Sequence, residues 1–299
     1  MSTPADPREV ARLAAEHGLA VDPASIRFNE MGLDFRVAIA RAEDDRQWVL
    51  RLPRRPAVME QAGIEGALLE AVSGHLSVEV PDWRIRSRSL IAYPLLTGTP
   101  GLVLGEDSAP QWHVEVSAPA FAGSLGDLVG ELHAVPAQDV DTTGIPIRTP
   151  EQSRQAWIED VDRVAAQFRV AEDLLASWRR WLEDDGLWPD HTVLCHGEIY
   201  PGHTLVDGGG RITGVLDWTT ACVGDPAQDL MFHHATATAE AFELSLARYR
   251  EHGGRTWPRL GQHCAAMLSA APVRYGLYAL ETGEQRHRDA AQAQLDPTP

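Results

Sequence analysis

The sequence predicts a two-lobed α+β fold: a small lobe built on a sheet, followed by a larger and mostly helical lobe. Three observations predict it. Up to Pro100, apolar residues alternate in short runs separated by turn signals, with helical spacing in between. Beyond Pro100, apolar residues recur at helical spacing in long segments broken by Gly and Pro. Convincing strand signals return only around one octapeptide, HGEIYPGH, residues 196–203. At 299 residues and 44% hydrophobic composition, the chain has ample core for either one large domain or two lobes.

Residues 7–18 carry the first helical pattern, with Val10, Leu13, Ala14 and Leu19 on one side. The stretch IRFNEMGLDFRVAIARAEDDRQWVLRLPRR gives two strand-like runs around the polar turn AEDD, a hairpin signal. A helix is expected over 57–73, where Ile64, Leu68, Leu69 and Val72 share a face, and VPDWRIRSRSLIAYPLL supplies two further strands. The lobe boundary falls near 94–100, so the chain divides into 1–95 and 96–299. In the second part, 119–134, 150–182, 226–252 and 256–282 all show helical periodicity. There is no internal repeat and no low-complexity tract.

A net charge of −17 argues against a nucleic-acid partner, because phosphate binding needs a concentrated basic surface. An acidic field steers cationic small molecules inward, although it also simply keeps a protein soluble. The N-terminal MSTPADPREVARLAAEHGL lacks the apolar run of a signal peptide. No stretch approaches the roughly 18 apolar residues of a membrane span. Cys195, Cys222 and Cys264 are too few and scattered for a disulfide framework and read as small buried residues in a reducing compartment. A cytoplasmic monomer is expected.

The octapeptide lies between TVLC, a strand, and TLVDGGGRITGVLDW, a hairpin. It can be a solvated turn, a metal clip using Cys195, His196 and His203, or a catalytic loop. The clip spacing fits no common structural zinc site. Glu198 and Asp217 flank the hairpin whose turn is DGGG, and a hairpin returns its ends to the same side. Two carboxylates brought together this way suit phosphoryl transfer, where one holds Mg²⁺ and another orients the attacking hydroxyl. His203 can offer a neutral nitrogen to the same ion. His196 reads as an organiser of the loop, and Asp225 and Asp229 as a cap and buried support. DGGG reads as the hairpin turn rather than a phosphate loop, since no helix follows it. Trp257, Tyr275 and Tyr278 are either core or the walls of an apolar substrate pocket.

LCHGEIYPGHTLVD and GVLDWTTACVGDPAQDL together resemble the catalytic core of the aminoglycoside phosphotransferase and choline-kinase-like family. The macrolide 2′-phosphotransferase branch is the best match, because it has His where relatives have Asn, as at His203. FNEMGLDFRVAIA, WVLRLPRR, VPDWRI, AYPLL, LHAVP, IRTP and DVDRV extend the likeness, in order, over nearly the whole chain. The resemblance implies a protein-kinase-like fold with nucleotide between the lobes. It implies Glu198 as catalytic base, His203 and Asp217 as Mg²⁺ ligands, Arg51 on the nucleotide phosphates and Glu65 as its helix partner. It also places the NEMGLDF loop over the phosphates and IAYP, with Ile91 and Tyr93, on the hinge that reads the purine edge. The implied reaction moves the γ-phosphate of GTP, with ATP as the alternative, to the 2′-hydroxyl of a macrolide amino sugar. One departure stands out: the base position holds Glu198 where the family has Asp. That leaves open a slowed or purely nucleotide-binding form, and the acceptor can instead be an aminoglycoside or a metabolite alcohol.

Overall fold

The computed structural model describes residues 6–30, 34–105 and 109–297. Asp6 caps the first helix, α1 (Pro7–Glu16), by accepting from the amides of Arg8 and Glu9. Val10, Ala11, Leu13 and Ala14 of α1 pack with one face of an antiparallel sheet. Its strands are β1 (Arg27–Asn29), β2 (Phe35–Arg41), β3 (Gln47–Pro53), β4 (Ile85–Arg86) and β5 (Ile91–Pro94), in the order β1-β2-β3-β5-β4. The first strand-like run therefore splits into β1 and β2; Met31, Gly32 and Leu33 of the expected phosphate-covering loop lie outside the described residues. At the AEDD turn, Asp45 takes the left-handed φ of 63° that closes the β2–β3 hairpin.

Period-two alternation decides what the sheet offers to each side. Leu50, Leu52, Leu90 and Ala92 face α1, whereas Val49, Ile91 and Tyr93 join the main core on the opposite face. Arg51, opposite Ile91 and Val37 in register, belongs to that inner face too. There it meets the helix that crosses behind the sheet, α2 (Val58–Val72).

Beyond β5 comes β6 (Thr99–Pro100), then a small hairpin of β7 (Leu102–Leu104) and β8 (Pro110–Trp112). The sequence pattern gives no sign of these strands. They are very short, and Leu104 and Trp112 are exposed, so burial imposes no alternation on them. Helices α3 (Pro119–His133), α4 (Pro150–Ala165) and α5 (Glu172–Glu183) follow. Thr149 and Gln152 form a capping box that starts α4, and the periodic stretch 150–182 breaks between α4 and α5.

The octapeptide emerges between β9 (Val193–Cys195) and the hairpin of β10 (Thr204–Val206) and β11 (Ile212–Val215). β12 (Cys222–Gly224) then pairs with β9. The chain ends in α6 (Met231–Thr236), α7 (Ala239–Glu251), α8 (Leu260–Ser269), α9 (Ala271–Thr282) and α10 (Gln285–Leu295). The sequence pattern also misses α10, which buries only His287, Ala291 and Leu295 and so shows no broad apolar stripe.

The lobes share one hydrophobic core, which runs from Phe35, Leu68 and Tyr93 to Leu128, Trp218 and Met267. They are also stitched by main chain. The Glu79 amide and carbonyl bond to Thr213 and Val215 of β11, and β6, just past the lobe boundary on the second side, pairs with β10. The Glu79 carboxylate turns back to accept from the Thr97 amide at 2.7 Å. Among the described residues no helix is long and apolar enough to cross a membrane.

Candidate active site

The β10–β11 ladder pairs Thr204 with Val215, so His203 and Leu216 stand opposite at the open end, where the Leu216 amide bonds the His203 carbonyl at 2.8 Å. That register delivers His203 and Asp217 side by side: Nε2 of His203 lies 3.7 Å from Oδ2 of Asp217. On the other edge of the same ring, Nδ1 is 3.9 Å from Oε2 of Glu198. The hairpin spacing thus brings together the carboxylates and the imidazole that the sequence singles out. The turn DGGG does close this hairpin, with Gly210 bonded back to Asp207.

Asp217 is held in an unusual way. Its φ of 62° is left-handed, a conformation that costs an L-residue about 1–2 kcal/mol. The Thr219 hydroxyl donates to Oδ1 at 2.6 Å, which fixes the carboxylate and leaves Oδ2 toward His203. Burial pushes this carboxyl up, but His203, the Thr219 hydroxyl and Arg51 outweigh it and hold it below the usual Asp range.

The donor set fits a divalent cation. Nδ1 of His203 donates to the Glu198 carbonyl at 3.1 Å, so in the neutral ring Nε2 carries the lone pair, and it faces the ionised Asp217. His203 and Asp217 are the residues that would hold magnesium.

Glu198 is ordered through its main chain. Gly197 before it adopts φ 87°, and a Cβ there would sit 2.6 Å from the Thr220 carbonyl, so only glycine fits. Asp229 accepts from the amides of His196 at 2.9 Å and Gly197 at 2.7 Å. His133 and the Tyr249 hydroxyl back Asp229 up in turn. His196 is fully buried, and burial lowers its pKa to about 4. Its neutral ring donates from Nε2 to the Leu216 carbonyl and accepts the Glu198 amide on Nδ1. His196 therefore joins the loop to the hairpin. The Glu198 carboxyl is raised above the usual Glu range, first by burial; His203 lowers it, Asp217 raises it and Arg274 lowers it. A base raised toward the working pH accepts a proton more readily in the transition state.

Across the cleft, Nη1 of Arg51 bonds Oε1 of Glu65 at 2.7 Å, with both side chains buried. The guanidinium also lies 4.2 Å from the Phe35 ring centroid. Burial lowers and Glu65 raises the Arg51 pKa, and the net effect holds it firmly protonated; its charge is felt at Asp217. Ile91 and Tyr93 lie on the adjoining strand, their side chains buried. β3 and β4 engage both edges of Ile91 and Ala92, whereas Tyr93 is paired only with Val49, so the outward main chain of the expected hinge begins there.

The metal-clip reading of Cys195, His196 and His203 does not survive. Cys195 is buried with Sγ on the Val193 and Asp225 carbonyls, and both ring nitrogens of His196 are engaged. Buried His133, Cys195 and Asp229 do cluster, but the Asp229 oxygens are spent on main-chain amides and His133. Asp225 accepts from the Ala227 amide and pairs with His263 at 2.7 Å, a cap and buried support.

Of the aromatic residues left open, Tyr275 bonds His287 and packs between α9 and α10. Tyr278 reaches Arg55 of the first lobe. Trp257 donates to the Leu187 carbonyl and lines a separate pocket of about 670 Å³ with Phe242, Leu246 and His234. Beside the Glu198 loop, Tyr200 packs against Phe232, with ring centroids 5.6 Å apart.

Residues 25–263 match the model of the phosphotransferase enzyme family. The crystal structure of the macrolide 2′-phosphotransferase MphH from Brachybacterium faecium, as apoenzyme, is 55% identical, covers 99% of each chain and superposes with a TM-score of 0.93. A structure of macrolide 2′-phosphotransferase type I is 39% identical over the full length of both chains, with a TM-score of 0.92. The uncharacterised protein YcbJ of Bacillus subtilis (strain 168) is 36% identical over 97% of this chain and 96% of its own.

Proposed function

The chain belongs to the phosphotransferase enzyme family, and on that premise we propose that it transfers the γ-phosphate of GTP to the 2′-hydroxyl of a macrolide amino sugar, acting as a cytoplasmic monomer that confers resistance. The observation that carries this proposal is the grouping of Glu198, His203 and Asp217 at one end of the β10–β11 hairpin, with Arg51 and Glu65 facing it. The likeness to two proteins named macrolide 2′-phosphotransferases supports the acceptor. So does the net charge of −17, which attracts a protonated dimethylamine.

In this scheme Glu198 accepts the proton of the attacking hydroxyl as the new O–P bond forms and the bond to the leaving nucleoside diphosphate breaks. Arg51, oriented by Glu65, contacts the nucleotide phosphates, and its planar fork suits them. Magnesium, when bound by His203 and Asp217, neutralises charge on those phosphates. The strained, ionised Asp217 and the pinned Glu198 loop are both set before substrate arrives, so little reorganisation accompanies the reaction. The modified drug carries bulk and negative charge where it had a free hydroxyl.

The test is direct: purified protein, Mg²⁺ and GTP or ATP, with macrolides, aminoglycosides and choline as acceptors, and products identified by mass spectrometry. A phosphorylated macrolide formed fastest with GTP is expected. Phosphorylation of only an aminoglycoside or choline would overturn the acceptor, and a clear ATP preference would overturn the nucleotide. The extra methylene of Glu198 supports one second reading, a nucleotide-binding form with little transfer. It predicts Mg-nucleotide binding and no product with any acceptor.

A further inference from the structure

Every main-chain polar group from His196 to Glu198 is held by a side chain. Asp229 takes the His196 and Gly197 amides, and the Thr220 hydroxyl donates to the His196 carbonyl at 2.9 Å. The His196 ring accepts the Glu198 amide, and His203 donates to the Glu198 carbonyl. The remaining group, the Gly197 carbonyl, accepts from Nη1 of Arg274 at 3.2 Å. Arg274 is the clamp that comes from the C-terminal helices, in the first turn of α9. The sequence pattern gives it no prominence.

We infer that Arg274 is a positioning residue for phosphoryl transfer: its guanidinium ties the Gly197 carbonyl to the Gln228 side chain and so fixes where the Glu198 carboxylate stands. The inference rests on the role proposed above for the Glu198 loop.

The Gly197 carbonyl and the Glu198 amide belong to one rigid peptide plane, the last before the Glu198 Cα. Arg274 holds the oxygen end of that plane, and the His196 ring holds the N–H end with a longer bond of 3.3 Å. Gly197 has no side chain to resist rotation. If the plane turns, the Glu198 Cα–Cβ bond swings with it.

Arg274 is itself held in place. Its Nη2 donates to Oε1 of Gln228 at 2.6 Å, and its guanidinium lies 5.2 Å from the Trp157 ring centroid. Gln228 is anchored to the Asp225 carbonyl. A fork with two fixed partners is a job for arginine, since lysine is a point donor on a flexible stem and serves one partner at a time.

The experiment is a double-mutant cycle on Arg274→Met and Gln228→Met, with Arg274→Lys as the conservative variant. It measures kcat, the KM of each substrate, the melting temperature, and amide hydrogen exchange at Gly197 and Glu198. Arg274→Met should lower kcat on the order of 100-fold, the scale of a misplacement near 1 Å. Nucleotide KM should stay within about threefold, as for a group acting on the transition state. Lysine should restore part of kcat, and the double variant should lose less than the product of the single losses. Amide exchange at Glu198 should quicken in Arg274→Met.

A kcat within about threefold of wild type in Arg274→Met would overturn the inference. So would parallel collapse of kcat, nucleotide KM and melting temperature with lysine no better than methionine, which marks a purely structural residue. If wild-type protein phosphorylates no macrolide, the proposed function falls. The exchange measurement then still decides whether Arg274 holds the loop.

Discussion

Shortening Glu198 by one methylene tests the base at its own position. Because side chains hold the main chain from His196 to Glu198 at every polar group, the backbone cannot slide to compensate, and the carboxylate position depends on the side chain alone. Glu198→Asp retracts the oxygens by about one C–C bond, ~1.5 Å. Two limits bracket the result. If Glu198 reaches the productive position through an off-minimum rotamer, the cost is roughly 0.5–1.5 kcal/mol. That corresponds to as much as tenfold in rate, at about 1.4 kcal/mol per decade. If it stays displaced by near 1 Å, the cost is on the order of 100-fold. Glu198→Asp should therefore raise kcat, by about 2- to 10-fold in the first limit and on the order of 100-fold in the second, with nucleotide KM little changed. Steady-state transfer to a macrolide at saturating nucleotide reads this out, with a melting curve as control. An Asp variant that is folded and no faster than wild type refutes the reasoning. Either Glu198 is then not the base, or the acceptor is not a macrolide.

Asp217→Gly should reduce transfer by at least about 100-fold, because it removes carboxylate charge from the phosphate site. It should leave the melting temperature unchanged or slightly raised, because glycine adopts φ 62° without strain; a transfer rate above a tenth of wild type would remove Asp217 from the metal site. Burial holds the pKa values of His196 and His233 at about 4 in the folded protein, against about 6.5 in the unfolded chain. The unfolded state binds more protons between those values, so stability should fall as pH drops from 6.5 toward 4, by roughly 3 kcal/mol for each histidine. Urea titrations across that window check this, and stability that is flat or rising on acidification would contradict it. The shared core predicts a single cooperative calorimetric transition despite the two lobes; two resolved transitions would count against it.

The order of strands and helices was legible where burial imposes a period. β2 and β3 alternate because one face meets α1 and the other the main core, and α2 shows its apolar face. The structure also places Glu198, His203 and Asp217 together as the hairpin spacing anticipates, since register converts sequence separation into proximity. Other features leave no periodic trace. β7 and β8 are very short and have no fully buried residue, and α10 buries little apolar surface. Arg274 lies 77 positions from the carbonyl it holds, in a helix whose pattern gives no hint of that contact. The left-handed backbone of Asp217 is equally silent, because the Thr219 bond that supports it depends on a turn no composition rule specifies.

The stitch between Glu79 and β11 has a consequence for how the cleft works. Main-chain bonds at Thr213 and Val215 join the segment before β4 to the strand that leads into Asp217. β6 extends the same small sheet from the other side. The sheet bearing Arg51 and the hairpin bearing His203 and Asp217 are thus braced like two walls of one frame, and a wide swing of one wall against the other would tear the brace. On the proposed function, nucleotide would enter a doorway of set width. α9 and Phe232 instead make their contacts through side chains: Arg274 on the Gly197 carbonyl, Tyr278 beside Arg55 of the first lobe, and Phe232 against Tyr200. On the proposed function, adjustment to acceptors of different bulk would fall to these side-chain contacts.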